Sequence, residues 1–192
     1  MATVNRESAN WRLFGGGGLI VGGLLWLLAQ VLILASVSVV PPFVVAVGIL
    51  VVAIGFCFVA FGETGSNGAV GASLFGKLAL VGLALGWLAF TVLQITSAIG
   101  LSSPSVLEYL GGILVVAGGV LSTFAIYERR VARGAARWVL AVPTVISILW
   151  VIIEFGWIDV AWSSFDTIVG LLLSLAYAAT GVLYLLNRRD VG

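Results

Sequence analysis

Six apolar runs, each about as long as a bilayer is thick, take up most of this chain. They lie at roughly 12–37, 41–62, 74–99, 105–127, 137–158 and 165–187. A helix needs about 20 mostly apolar residues to cross the hydrocarbon core, and a lone spanning segment must satisfy its backbone internally. The runs therefore predict an all-α polytopic membrane protein with six transmembrane helices in a single domain, 1–192. Composition agrees: 61% of the residues are hydrophobic and 9% charged, against about 25% charged in an ordinary soluble domain. The first run exceeds the roughly 7–15 residues of a signal-peptide core and is followed by no clear small-residue cleavage site, so a retained first helix is expected.

Charge sets the expected orientation. Arg6, Arg12, Lys77, Arg129, Arg130, Arg133, Arg137, Arg188 and Arg189 all fall on one side of a six-span chain. Glu108, Glu154, Asp159 and Asp166 fall on the other, with no base among them. Basic residues mark the cytoplasmic side, so both termini are expected inside the cytoplasmic membrane. Five or seven spans would break that agreement.

The stretch "GILVVAIG" (48–55) recurs as "GILVVAGG" (112–119), an offset of 64 residues. Three helical hairpins, at about 1–64, 65–128 and 129–192, would produce such a parallel repeat. The third copy is poor, since "GLLLSLAY" (170–177) keeps only Gly170 and Leu172 in register. An inverted pair of triplets competes with it, setting "FGGGGLIVGG" (14–23) against "LGGILVVAGG" (110–119).

Six spans paired as hairpins, proline-bearing turns at 41–42 and 102–105, and glycines seven apart in the return helices together resemble the HdeD-like family of small bacterial and archaeal membrane proteins. The resemblance covers most of the chain, although acidic "WIDVAWSSFD" (157–166) departs from the proline turn. It implies a six-helix membrane protein with a role in acid-stress resistance and no catalytic motif.

Helices in lipid associate by close packing rather than by hydrophobicity. Gly18 and Gly22, and Gly82 and Gly86, form GxxxG pairs; Gly15 and Gly22, Gly48 and Gly55, and Gly112 and Gly119 lie two turns apart. These faces are expected to pack within the bundle, or against a second copy or another membrane protein. Pro143 falls inside the fifth run and is expected to kink that helix.

Ionisable residues within spans are functional candidates because burying them is costly. Glu154 lies 17 residues beyond Arg137, about 25 Å along a helix, toward the outer interface. It shares a face with Thr144, Ser147 and Val151, and Trp150 and Trp157 flank it. With Gln30, Gln94, Glu108, Tyr109, Asp159 and Asp166 it can line an acidic outer vestibule that concentrates cations. The alternative is that these acids are interfacial charge only. Trp11, Trp138, Trp157 and Trp162 fall near the expected interfaces, where aromatic belts belong. Trp26, Trp87 and Trp150 lie deeper, as packing or in contact with a lipid or carotenoid ligand. Arg129, Arg130, Arg133 and Arg137 form a cluster able to meet anionic lipid headgroups.

Much chemistry is excluded. Histidine is absent and Cys57 is the single cysteine, so no intrachain disulfide, histidine metal site or Ser–His nucleophile exists. There is no P-loop, C-x-x-C or G-x-S-x-G motif, and no basic patch for nucleic acid. No cofactor is implied. The expected role is non-enzymatic: structural, accessory or stress-protective, through packing with itself or a partner. A small channel or secondary transporter for protons or cations, using the vestibule around Glu154, is the alternative.

Overall fold

The computed structural model describes residues 11–36, 41–62, 68–102, 104–155 and 165–186, with Glu154 described by its backbone alone. Six helices account for almost all of it: α1 (Gly17–Leu34), α2 (Pro41–Phe61), α3 (Leu74–Ala98), α4 (Ser105–Arg129), α5 (Ala141–Glu154) and α6 (Phe165–Leu186). With their leading turns, all six are long and apolar enough to span a membrane, as the runs of apolar sequence foretold. This is an all-α, multi-pass membrane fold.

Each helix packs against its neighbours in sequence, and α6 closes back on α1. The result is a ring of six antiparallel helices. The ends of α1, α3 and α5 and the starts of α2, α4 and α6 lie at one end, the hairpin end. Trp11, Leu186, the described residues 68–73 and the connection 130–140 lie at the other, the terminal end.

Glycine sets how closely the ring draws together. A Cβ added at Gly22 would sit 2.7 Å from both the Gly48 carbonyl oxygen and the Val52 nitrogen, and one at Gly48 would sit 2.8 Å from the Trp26 nitrogen. On α1 and the turn that leads into it, Trp11–Gly16, the adjacent residue of each doublet turns to the other neighbour. Gly15 and Gly22 face α2, whereas Gly16 and Gly23 face Gly181 and Ser174 of α6. Neighbouring residues on a helix point about 100° apart, and seven residues make nearly two full turns. A glycine doublet repeated at seven therefore lets one helix approach two partners closely. α4 repeats the device: Gly111 and Gly118 face α3, and Gly112 and Gly119 face Phe155, just beyond α5, and Thr144 of α5.

The outward surface is apolar along every helix. Val21, Leu24, Leu28 and Val31 of α1, Leu78, Leu85 and Val92 of α3, and Leu172, Leu175 and Val182 of α6 are all exposed. Such continuous apolar surface suits lipid rather than water.

Several sequence expectations need correction. Pro143 does not kink a helix from within; it occupies the first turn of α5, where a proline's missing N–H removes little because the first turn has no intrahelical acceptors. Arg137, where the fifth span was expected to begin, instead closes a 3₁₀ turn, Gly134–Arg137, and α-helix starts at Ala141. The fifth helix also ends earlier than expected, at Glu154. Trp11 does not belong to an interfacial belt. It opens a π-helical turn, Trp11–Gly16, is 1% exposed, and meets Tyr184 edge-on at 5.6 Å. Trp138 is exposed, whereas Trp157 and Trp162 lie outside the described residues.

Candidate functional site

Large aromatic side chains from five helices meet at the centre of the ring. Trp26 (α1) and Trp87 (α3) lie edge to face at 5.2 Å. Tyr177 (α6) packs edge-on to Trp87 at 5.7 Å and to Phe56 (α2) at 5.6 Å. Trp150 (α5) lies parallel to Trp87 at 6.3 Å and against Phe90 at 4.8 Å.

The layer is also tied by hydrogen bonds. Trp87 Nε1 donates to the Tyr177 hydroxyl at 2.9 Å, Tyr177 pairs with Ser147, and Ser147 Oγ donates to the Pro143 carbonyl at 2.8 Å. Of the polar stripe on α5, Ser147 is thus turned into the ring, and Thr144 packs against Gly119 of α4. Thr144 likewise donates to the Leu140 carbonyl at 2.7 Å. Trp26 Nε1 is the exception: it is buried and has no hydrogen-bond partner among the described residues.

Toward the hairpin end, the ring opens above this layer into a cavity of about 240 Å³. Trp26, Trp87, Phe90 and Trp150 form its aromatic walls, and Gln30, Gln94, Asp166 and Thr167 give it polar groups. From Ile33 to Trp26, both on its wall, is seven residues of α1, a depth of about 10 Å. Gln30 is 7% exposed, its carboxamide lying over Gly170 of α6, where a Cβ would collide with it. Here a glycine is required by close approach: it makes room for a polar side chain between α1 and α6. Asp166, in the first turn of α6, is exposed. Among the described residues no lysine or arginine lines the cavity.

Below the aromatic layer the ring is packed. Leu19, Val52, Phe56, Leu80 and Leu83 are at most 2% exposed. At the terminal end Ala69, Val70, Ala132 and Ala136 are buried, and Ala69 N–H donates to the Val59 carbonyl at 2.7 Å. Among the described residues, the segment after Gly68 folds into the ring at this end, and the cavity is closed below the aromatic layer.

Of the residues expected to line an outer vestibule, Gln30, Gln94 and Asp166 come together. Glu108 is half-buried in the first turn of α4 and Tyr109 is exposed on a different face, against Phe155 at 4.7 Å; neither lines the cavity. Glu154 is the last residue of α5, its side chain outside the described residues, as is all of Asp159. Trp26, Trp87 and Trp150 pack on one another, and all three line the cavity. A signal for the polar pair did exist, since Gln30 and Gln94 are themselves 64 residues apart, the offset of the repeat.

The other expected groups are distributed as follows. Gly18, Gly22, Gly48, Gly55 and Gly86 pack against backbone of the adjoining helix within their hairpin, while Gly82 has open space around it. In the arginine cluster, Arg137 is engaged: its Nε donates to the Tyr127 carbonyl at 2.8 Å and its guanidinium lies 3.9 Å from that ring's centre. It caps the end of α4. Arg129, Arg130 and Arg133 are exposed, Arg130 in the left-handed conformation that ends the helix. Beside them on the lipid-facing side, an apolar groove of about 370 Å³ runs between α4 and α5, past Phe124, Tyr127, Trp138 and Val145.

No family model, curated protein or solved structure matches this chain.

Proposed function

We propose that this is a non-enzymatic protein of the cytoplasmic membrane, both termini cytoplasmic, that holds a small solute in a vestibule open to the outside. The observation that carries this reading is the cavity walled by Trp26, Trp87, Phe90 and Trp150 and edged by Gln30, Gln94 and Asp166. Concave sites with mostly apolar walls and a few converging polar groups are the usual form of small-ligand sites. The described basic residues, Arg12, Lys77, Arg129, Arg130, Arg133 and Arg137, all fall at the terminal end, which supports the orientation. A stress-protective role, of the kind the HdeD-like layout suggests, is compatible with solute binding and adds no catalytic step.

Transport of protons or cations is the second reading, favoured by the cavity reaching the middle of the ring. It requires the Trp26–Trp87–Tyr177 layer to part, since the ring is packed from there to the terminal end.

Cysteine labelling tests the first reading. Cys57 is exposed on the ring's outer surface, so a Cys57→Ser background removes the native thiol. In intact cells, Gln94→Cys should then react with a membrane-impermeant thiol reagent, whereas Arg133→Cys should react only after permeabilisation. Labelling of Arg133→Cys in intact cells would reverse the orientation. An unreactive Gln94→Cys would show that water does not enter the cavity.

A further inference from the structure

We infer that the vestibule is a binding site for a small methylated ammonium ion carrying an acceptor oxygen, such as choline, held by the rings of Trp26, Trp87, Phe90 and Trp150 with Asp166 at the rim. This deepens the vestibule reading above and rests on it.

Charge narrows the ligand first. Among the described residues, Asp166 is the only ionisable side chain on the cavity wall, and no lysine or arginine lines it. An anion would meet a carboxylate and no counter-charge, so a neutral or cationic ligand is favoured.

Size narrows it again. A volume of about 240 Å³ equals roughly eight water molecules at about 30 Å³ each, and lies below the ~300–1,000 Å³ of drug-sized sites. The occupant is a molecule of few heavy atoms.

The wall chemistry then separates organic from inorganic cations. A hard metal ion needs about six oxygen ligands in replacement of its water. The described wall offers one carboxylate, two carboxamides and the Thr167 hydroxyl, spread over α1, α3 and α6. Among the described residues no group of three metal-ligating acids, thiols or imidazoles exists. Four aromatic side chains instead give a surface that suits a weakly hydrated cation, because ring quadrupoles attract positive charge without demanding hydrogen bonds. A methylated ammonium loses little hydration on entering.

The polar groups account for the oxygen. Trp26 Nε1 is a buried donor without an acceptor, in a side chain 5% exposed on this same wall. Gln30 adds two amide donors and makes no side-chain hydrogen bond to another described residue. A hydroxyl or carboxylate on the ligand would meet these donors while the methylated head lies on the rings.

The test compares two probes of one shape: choline, and its neutral carbon isostere 3,3-dimethylbutan-1-ol. Each is titrated into the full-length protein in nanodiscs of phosphatidylglycerol, with tryptophan emission as the readout. Choline is expected to bind roughly tenfold more tightly than the alcohol. Trp150→Leu should remove most of that preference. Asp166→Asn should weaken choline by only about two- to fivefold, because an exposed carboxylate is screened by water. Equal affinities for the two probes in the unaltered protein would overturn the inference, as would displacement of choline by millimolar sodium. Absence of choline binding in a sample whose Gln94→Cys is labelled from outside would overturn the ligand class and leave the vestibule standing. An unlabelled Gln94→Cys would take down both. Repeating the titration in phosphatidylcholine discs separates two sources of the same chemistry. A weaker apparent affinity there assigns the site to a lipid headgroup, and an unchanged one assigns it to a dissolved solute; both support the ammonium site.

Discussion

The indole N–H of Trp87 donates to the hydroxyl of Tyr177 at 2.9 Å, joining α3 to α6 across the ring. Helices on opposite sides of the ring share few backbone contacts, so this bond and the rings around it fix the two halves of the bundle relative to each other. Continued through Ser147 to the Pro143 carbonyl, the chain of bonds also anchors α5. Tyr177→Phe keeps the ring and deletes the hydroxyl, leaving Trp87 Nε1 unpaired. The expected cost is about 0.5–2 kcal/mol, set between a typical hydrogen bond inside a membrane protein and a lost partner for a buried donor. A lower midpoint of thermal unfolding in detergent would register it. An unchanged midpoint would mean the layer is held by ring packing alone.

Glycines of one GxxxG pattern have different fates. A Cβ at Gly22 would meet backbone atoms of α2 at 2.7 Å, and helix backbones do not yield as side chains do; at Gly82 it would meet nothing within 4 Å. Gly22→Ala should therefore destabilise the fold by about 1–3 kcal/mol, whereas Gly82→Ala should be neutral or slightly stabilising, since alanine favours helix by up to about 1 kcal/mol. Unfolding midpoints of the two variants should differ in sign. Should Gly82→Ala instead change the oligomer size on a sizing column without loss of stability, the open face around Gly82 would be a contact between copies.

How the sequence related to the fold is clearest at these glycines. Span number and most boundaries were legible, because bilayer thickness fixes helix length: α2 runs Pro41–Phe61 where 41–62 was read. The pairing of partners was not. Gly48 and Gly112 match at an offset of 64, yet Gly48 packs on α1 within its hairpin and Gly112 packs outward on Phe155; Gly111 takes the place within the hairpin. A repeat in sequence fixes spacing along a helix, but a doublet offers two faces, and only the closure of the ring decides which neighbour each one meets. The vestibule shows the same limit. Gln30, Gln94 and Asp166 stood out as polar residues near one end, but that α6 returns to α1 and brings Gln30 over Gly170 is a fact of tertiary closure. Deep tryptophans look alike in sequence whether they fill a core or wall a cavity.

Arg137 is better placed for structure than for lipid. Its Nε bond to the Tyr127 carbonyl satisfies an acceptor at the end of α4, and a guanidinium at a helix C-terminus also meets a favourable dipole. Lysine keeps the charge but lacks both the planar group that stacks on Tyr127 and the Nε–H. Arg137→Lys is therefore expected to cost about 1 kcal/mol, nearly as much as Arg137→Ala, whereas Arg129→Lys should cost almost nothing. Thermal unfolding of the three variants side by side checks this; full rescue by lysine would return Arg137 to the role of a simple topological charge.

The cavity, closed below its aromatic layer, makes a prediction about flux. Between the Trp26–Trp87–Tyr177 layer and the terminal end, the ring holds fully buried Leu19, Val52, Leu80 and Leu83, and Ala69 and Val70 close its far side. A proton or metal ion crossing there would leave water for a path that, among the described residues, has no carboxylate or carboxamide side chain, which costs several kcal/mol even after relaxation. Liposomes containing the folded protein should thus leak protons, sodium and potassium no faster than empty ones under an imposed gradient. The decisive contrast is with Asp166→Asn and Glu154→Gln. If the unaltered protein conducts and either substitution abolishes the current, the aromatic layer must part during a transport cycle, and the vestibule is the outward-open half of that cycle. If there is no flux while choline still binds, the layer is a fixed floor and the protein acts by holding its solute at the outer face.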